Sequence, residues 1–187
     1  MCSVSPQVAA DASRFSIPLY QLQELSQKAM DTKARAYCPY SKFRVGAALL
    51  TTDGQYITGV NVENASYPVG TCAERVALGK AVSEGQMTFK ALAVATDISP
   101  PASPCGMCRQ FIREFCPLTL PIFMHDKDGN YVVKTLLELL PMPFGPEDLK
   151  PGPSPKSESQ LADSDVQVGR GKDGGAGDEL VAAETII

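Results

Sequence analysis

The chain has 187 residues, 44% apolar and 20% charged, with a net charge of −4, enough for one domain with a buried core and some spare length. No apolar run approaches the roughly 18–20 residues of a membrane-spanning helix, and the acidic balance argues against a protein that grips nucleic-acid phosphates through clustered Lys and Arg. Six cysteines stand beside a single histidine, and the first residues lack a basic start followed by an apolar block, which points to a reducing, cytoplasmic setting.

Residues 1–15 read as a flexible arm. Ser16-Ile17-Pro18 then reads as a helix start, with Ser as cap and Pro in the first turn. Leu19, Leu22, Leu25 and Ala29 follow at helical spacing, and Pro39 predicts an end near Ala36. A strand is expected over 43–51, a tight turn at Asp53-Gly54, and a second strand over 56–63 with Ile57, Gly59, Asn61 and Glu63 on one face. The segment 72–83 is apolar almost all round and predicts a buried helix.

Residues 91–96 read as a central strand, and 99–104 as a proline-rich loop. Met107, Phe111, Ile112 and Phe115 mark a further helix. Short strands over 121–124 and 131–133 flank Asp128-Gly129, which predicts an antiparallel pair. His125, just before that turn, reads as a solvated loop residue, and 135–140 as a short last helix. The order α-β-β-α-β-α-β-β-α predicts one mixed sheet covered by helices on both faces. After Lys150 the composition turns to Gly, Pro, Ser and charge without periodicity, so 151–187 reads as a disordered tail and 16–150 as the folded domain.

The chemistry is concentrated in three cysteines. Cys105 and Cys108 form a C-x-x-C at the start of one predicted helix; Cys72 begins another, with Glu74 two residues on. A C-x-x-C alone also fits a redox pair, or half of a four-ligand structural zinc site completed by Cys38 or Cys116. The loop between the 91–96 strand and the motif speaks against a thioredoxin-like redox arrangement. Three thiolates leave one tetrahedral position open, as a catalytic zinc requires. Such an ion lowers the pKa of water to about 7, and a carboxylate must then relay protons; Glu74 is the candidate. Three thiolates leave the ion with one negative charge in excess. Helix N-termini, together with Arg75, Arg109 and Gln110 as donors to the sulfurs, are the candidates to offset it.

Cys72-Ala73-Glu74 and Pro104-Cys105-Gly106-Met107-Cys108 resemble the signature of the cytidine deaminase superfamily, H-x-E…P-C-x-x-C, in the homotetrameric branch where Cys replaces His. The resemblance extends through YCPYSKFRVGAALL (37–50), NVENASYPVGTCAER (61–75), SPCGMCRQ (103–110) and FGPEDL (144–149), and covers about residues 17–150. Arg44 stands where that family would have a smaller residue or Pro, and the tail is atypically long.

The resemblance implies a three-layer α/β/α fold with a five-stranded mixed sheet whose last two strands are antiparallel. It implies one Zn²⁺ per chain on Cys72, Cys105 and Cys108, with Glu74 as the catalytic acid–base. The implied reaction is hydrolytic deamination of free cytidine and deoxycytidine, with release of ammonia, in pyrimidine salvage. Asn61 and Glu63 would hold the ribose 3′-hydroxyl, and Phe43 would pack on the pyrimidine. The main chain around Ala73 and Cys105 would read the base edge. Tyr40, Tyr67 and Phe144 would complete the pocket, Phe144 reaching a neighbouring subunit of a homotetramer. Neither a nucleic acid nor a membrane is an expected partner. The competing readings are a deaminase of another aminated substrate such as blasticidin S, a polynucleotide editor, and a non-enzymatic zinc or redox module. An acidic chain without Trp fits the editor poorly.

Overall fold

Apolar residues on both faces of three consecutive central strands require a sheet covered twice. The structure, a computed structural model describing residues 5–149, has that arrangement. Strands β1 (Val45–Thr51), β2 (Tyr56–Val60), β3 (Phe89–Thr96), β4 (Pro121–His125) and β5 (Tyr131–Thr135) form one sheet in the order β2-β1-β3-β4-β5. Neighbours are antiparallel except β3 and β4. That parallel pair requires a crossover, which α4 (Gly106–Phe115) supplies.

Alternation along β1 divides the core. Ala48 and Leu50 face α2 (Leu19–Thr32), packing with Leu22, Leu25, Ala29, Ala93 and Phe123. Ala47 and Leu49 face α3 (Ala73–Ser83) and α4, packing with Ala77, Leu78, Leu92, Ile112 and Ile122. The three-layer fold with an antiparallel last pair is therefore as expected. Two glycines set how closely the helices lie on the sheet. A Cβ on Gly46 would sit 2.2 Å from the Ala29 carbonyl oxygen, and one on Gly59 would sit 2.4 Å from the Ala77 nitrogen. Gly59 thereby fixes the seat of α3, whose first turn carries Cys72 and Glu74.

Three expectations are corrected. Residues 6–14 of the expected arm form helix α1 (Pro6–Arg14), which buries Asp11 and Ala12. The Tyr131 hydroxyl donates to Asp11 Oδ2 at 2.8 Å, and the Phe15 ring meets Phe123 edge-on. The local signal is short and weak; tertiary packing makes the helix. Ser16 does not cap α2: its φ of 53° turns the chain between α1 and α2, and Pro18 takes the N-cap position. His125 is not solvated. β4 runs one residue further than read, pairing His125 with both Ala95 and Tyr131, so the ring is only 2% exposed. The residues expected as a tail, 151–187, lie outside the described ones.

Both His125 ring nitrogens lack a hydrogen-bond partner, and the ring lies 5.2 Å from that of Tyr131. Burial pushes its pKa below the ordinary 6.5, outweighing the opposing pull of the nearby Gly129 backbone and then of the Asp126 carboxylate. The unfolded chain therefore takes up a proton near pH 6.5 that the folded chain refuses until lower pH. Stability is full above that value and falls as pH drops through it. Thermal unfolding from pH 8 to 5 should show a shallower acid decline in His125→Phe than in wild type; parallel declines would contradict this.

Candidate active site

Helices α3 and α4 each begin on a cysteine, with Cys72 and Cys105 at their N-cap positions in extended backbone and neither making a side-chain cap bond. The sulfurs are thus left free at two positive helix ends, which favour anionic sulfur. The Sγ atoms of Cys72 and Cys105 are 4.0 Å apart, those of Cys105 and Cys108 are 3.5 Å apart, and all three lie within 4.8 Å of one another. A tetrahedral ion with Zn–S bonds of about 2.3 Å needs sulfurs about 3.8 Å apart. The trio therefore has the span and the donor chemistry of a zinc site. Neither Cys38 nor Cys116 belongs to the cluster. Cys116 lies in the core beneath α4, where burial pushes its thiol up to about 12.

The neighbouring Cys108 side chain and then the Arg75 guanidinium pull the Cys72 thiol below its ordinary range. Cys108 is pushed the other way, upward, by Cys72 and by burial. The cluster thereby favours at least one anionic sulfur, and a divalent cation bound there would displace the remaining thiol protons. Glu74, in the first turn of α3, is only 5% exposed. Burial, and then the Cys72 negative charge, raise its pKa above the ordinary 4.5. A buried carboxyl beside the sulfur cluster is placed to take up and pass on a proton.

Arg75 Nη2 donates to the Gly70 carbonyl at 3.3 Å, with its guanidinium beside Cys72. The other two expected sulfur donors point elsewhere. Arg109 donates to the Pro104 carbonyl, the Leu139 carbonyl and Ser103 Oγ at 2.6–2.7 Å, pinning the loop before Cys105. Gln110 Nε2 donates to the Phe144 carbonyl at 3.0 Å. At about 100° per residue, positions one and two beyond Cys108 turn away from its sulfur.

Two residues before Cys72, Gly70 lines a pocket of about 330 Å³ shared with Tyr40, Ser41, Glu63, Asn64 and Tyr67. The expected strand over 56–63 ends at Val60; beyond it, Val62 makes isolated bridges to Tyr37 and Thr71. Asn61 does not line the pocket. Its Oδ1 accepts from Val45 N and its Nδ2 donates to the Phe43 carbonyl, both at 2.8 Å, so it fixes the start of β1. Glu63 does line the pocket, and it accepts from Tyr40 N at 2.9 Å, Ser41 N at 3.2 Å and the Ser41 hydroxyl. The Ser41 hydroxyl does most to hold its carboxyl below the ordinary range.

The Tyr40 and Tyr67 rings are 5.8 Å apart and both residues are exposed. Phe43 is half-buried, Phe144 is exposed, and Ala73 is fully buried in the first turn of α3. Sequence reasoning missed Ser41. The available signal was a short hydroxyl residue two before Phe43, placed to bond the following backbone in a turn.

The family described as the cytidine and deoxycytidylate deaminase zinc-binding region matches residues 19–124. A cytidine deaminase of Sporosarcina psychrophila is 47% identical over 128 residues, covering 68% of this chain and 94% of that one. One from Halalkalibacterium halodurans is 46% identical over 127 residues, covering 68% and 96%. The crystal structure of cytidine deaminase from Burkholderia pseudomallei superposes with a TM-score of 0.64 at 42% identity, over 65% of this chain and 98% of that one. Sequence match, fold and cysteine geometry agree, and the chain belongs to the cytidine and deoxycytidylate deaminase family.

Proposed function

We propose that this chain hydrolyses the 4-amino group of free cytidine and deoxycytidine, giving uridine or deoxyuridine and ammonia, with one zinc ion per chain on Cys72, Cys105 and Cys108. The observation that carries this reading is the meeting of three sulfurs at zinc spacing beside a buried carboxyl of raised pKa. Zinc held there supplies Lewis acidity that makes water a nucleophile near neutral pH. Glu74 takes the proton from the attacking water, delivers it to ring N3, and passes the second proton to the departing amine. Water adds at C4 and the C4–N bond breaks, so cytidine and water become uridine and ammonia.

Glu63, with Asn61 bracing the strand behind it, accepts from the ribose 3′-hydroxyl. Phe43 packs on the pyrimidine, and the backbone at Ala73 and Cys105 reads the base edge. Tyr67 and Phe144 close the pocket. Arg75 tempers the charge on Cys72; Gln110 acts only through Phe144. The residue range 16–150 is the catalytic domain. The α4 surface around Met107, Phe111 and Phe115, with exposed Phe144, supports self-association, as a homotetramer; the cysteine usage supports a reducing, cytoplasmic setting, and the free-nucleoside reaction serves pyrimidine salvage.

An ionised Glu63 in the pocket wall also favours a free nucleoside over an oligonucleotide, whose 3′-phosphodiester would bring a second anion against it. Ammonia release from cytidine, deoxycytidine, CMP, blasticidin S and a cytosine-containing oligonucleotide tests the reading. Turnover of the two nucleosides is expected; turnover confined to the oligonucleotide or to blasticidin S would overturn it.

A further inference from the structure

One turn holds the Glu63 carboxylate almost completely. Oε2 accepts from Tyr40 N and Ser41 N at 2.9 and 3.2 Å, which uses both of its lone pairs. Oε1 accepts from the Ser41 hydroxyl, leaving it one lone pair. The same hydroxyl accepts from Phe43 N at 3.0 Å, so its single proton is committed to Glu63. The turn is closed by Lys42, at φ 57°, whose N–H donates to the Cys38 carbonyl at 3.0 Å. The Phe43 carbonyl takes the Asn61 amide. Ser41 is thus the link that joins Glu63, Phe43 and, through Phe43, Asn61.

We propose that Ser41 is a positioning residue for nucleoside recognition: its hydroxyl aims the last free lone pair of Glu63 Oε1 at the ribose 3′-hydroxyl and fixes the Phe43 main chain beside the base. This rests on the reading of Glu63 as the ribose contact. Without the hydroxyl, Oε1 has two unassigned lone pairs, the carboxylate rotates, and the Phe43 N–H loses its acceptor. The binding of the 3′-hydroxyl suffers, while the proton relay at Glu74 does not.

The test compares cytidine with 3′-deoxycytidine on the zinc-loaded enzyme. In Ser41→Ala the KM for cytidine should rise about tenfold with kcat within about twofold. The preference for cytidine over 3′-deoxycytidine in kcat/KM should shrink by a similar factor. Ser41→Thr, which keeps the hydroxyl, should restore both. Calorimetry should find uridine binding weakened by a larger factor than 3′-deoxyuridine binding, which loses only the Phe43 support. If Ser41→Ala does not fold, Ser41→Cys, a weaker donor, gives the same readout. A variant that keeps the wild-type preference, or loses kcat alone, overturns the link. A wild type that treats cytidine and 3′-deoxycytidine alike overturns the Glu63–ribose reading itself, and the link with it.

Discussion

Glu74→Gln should fold, bind zinc as wild type does, and lose on the order of a thousandfold or more in kcat. Gln has nearly the same volume and keeps a carbonyl acceptor, so the buried first turn of α3 is not left with a cavity. What it lacks is a proton that can be taken up and released. Replacing an acid whose burial raises its pKa with a neutral group also removes a desolvation cost, so Tm should not fall. In wild type kcat/KM should decline on the acid side as Glu74 takes up its proton. Glu74→Gln should show no such limb in its residual rate. Turnover like wild type in this variant would end the role assigned to Glu74.

Removing one sulfur should cost the metal. Cys108 is fully buried, with its Sγ 3.5 Å from that of Cys105 and within 4.8 Å of that of Cys72. Cys108→Ala leaves two thiolates, one of them exposed, too few for a tight tetrahedral site. Elemental analysis should find zinc falling from one per chain to under about a tenth, with activity lost in proportion. Cys116→Ala removes a buried cysteine outside the cluster and should keep its zinc. A strong chelator should reproduce the Cys108→Ala phenotype in wild type and lower its Tm, because an ion bound only by the folded state stabilises that state. Full zinc content in Cys108→Ala would contradict the ligand set.

Most of the sheet was legible because its strands carry their own signals: the run Val45–Leu50, the Asp53-Gly54 turn, and the Asp128-Gly129 turn that makes the last pair antiparallel. The meeting of Cys72 with Cys105 and Cys108 was legible because both segments open helices, and helix starts are marked locally. Features that depend on distant partners were not. Helix α1 owes its order to contacts with Phe123 and Tyr131, more than a hundred residues away. His125 is buried by pairing on both sides of β4, which no local pattern encodes. Strand alternation over 56–63 places Glu63 on one face with Asn61. The structure puts it beyond the end of β2, held by a turn that reaches back from residues 40–43. Arg109 and Gln110 were assigned by proximity in sequence, whereas helical rotation directs them to loop carbonyls.

The central claim is that three sulfurs at two helix starts share one zinc ion and leave it a position for water. X-ray absorption at the zinc edge, on the purified zinc-loaded protein, reads that directly. The expected spectrum has three sulfur scatterers at about 2.3 Å and one oxygen at about 2.0–2.2 Å. Four sulfurs around the metal, or a metal-free protein with a disulfide between Cys105 and Cys108, would contradict the account.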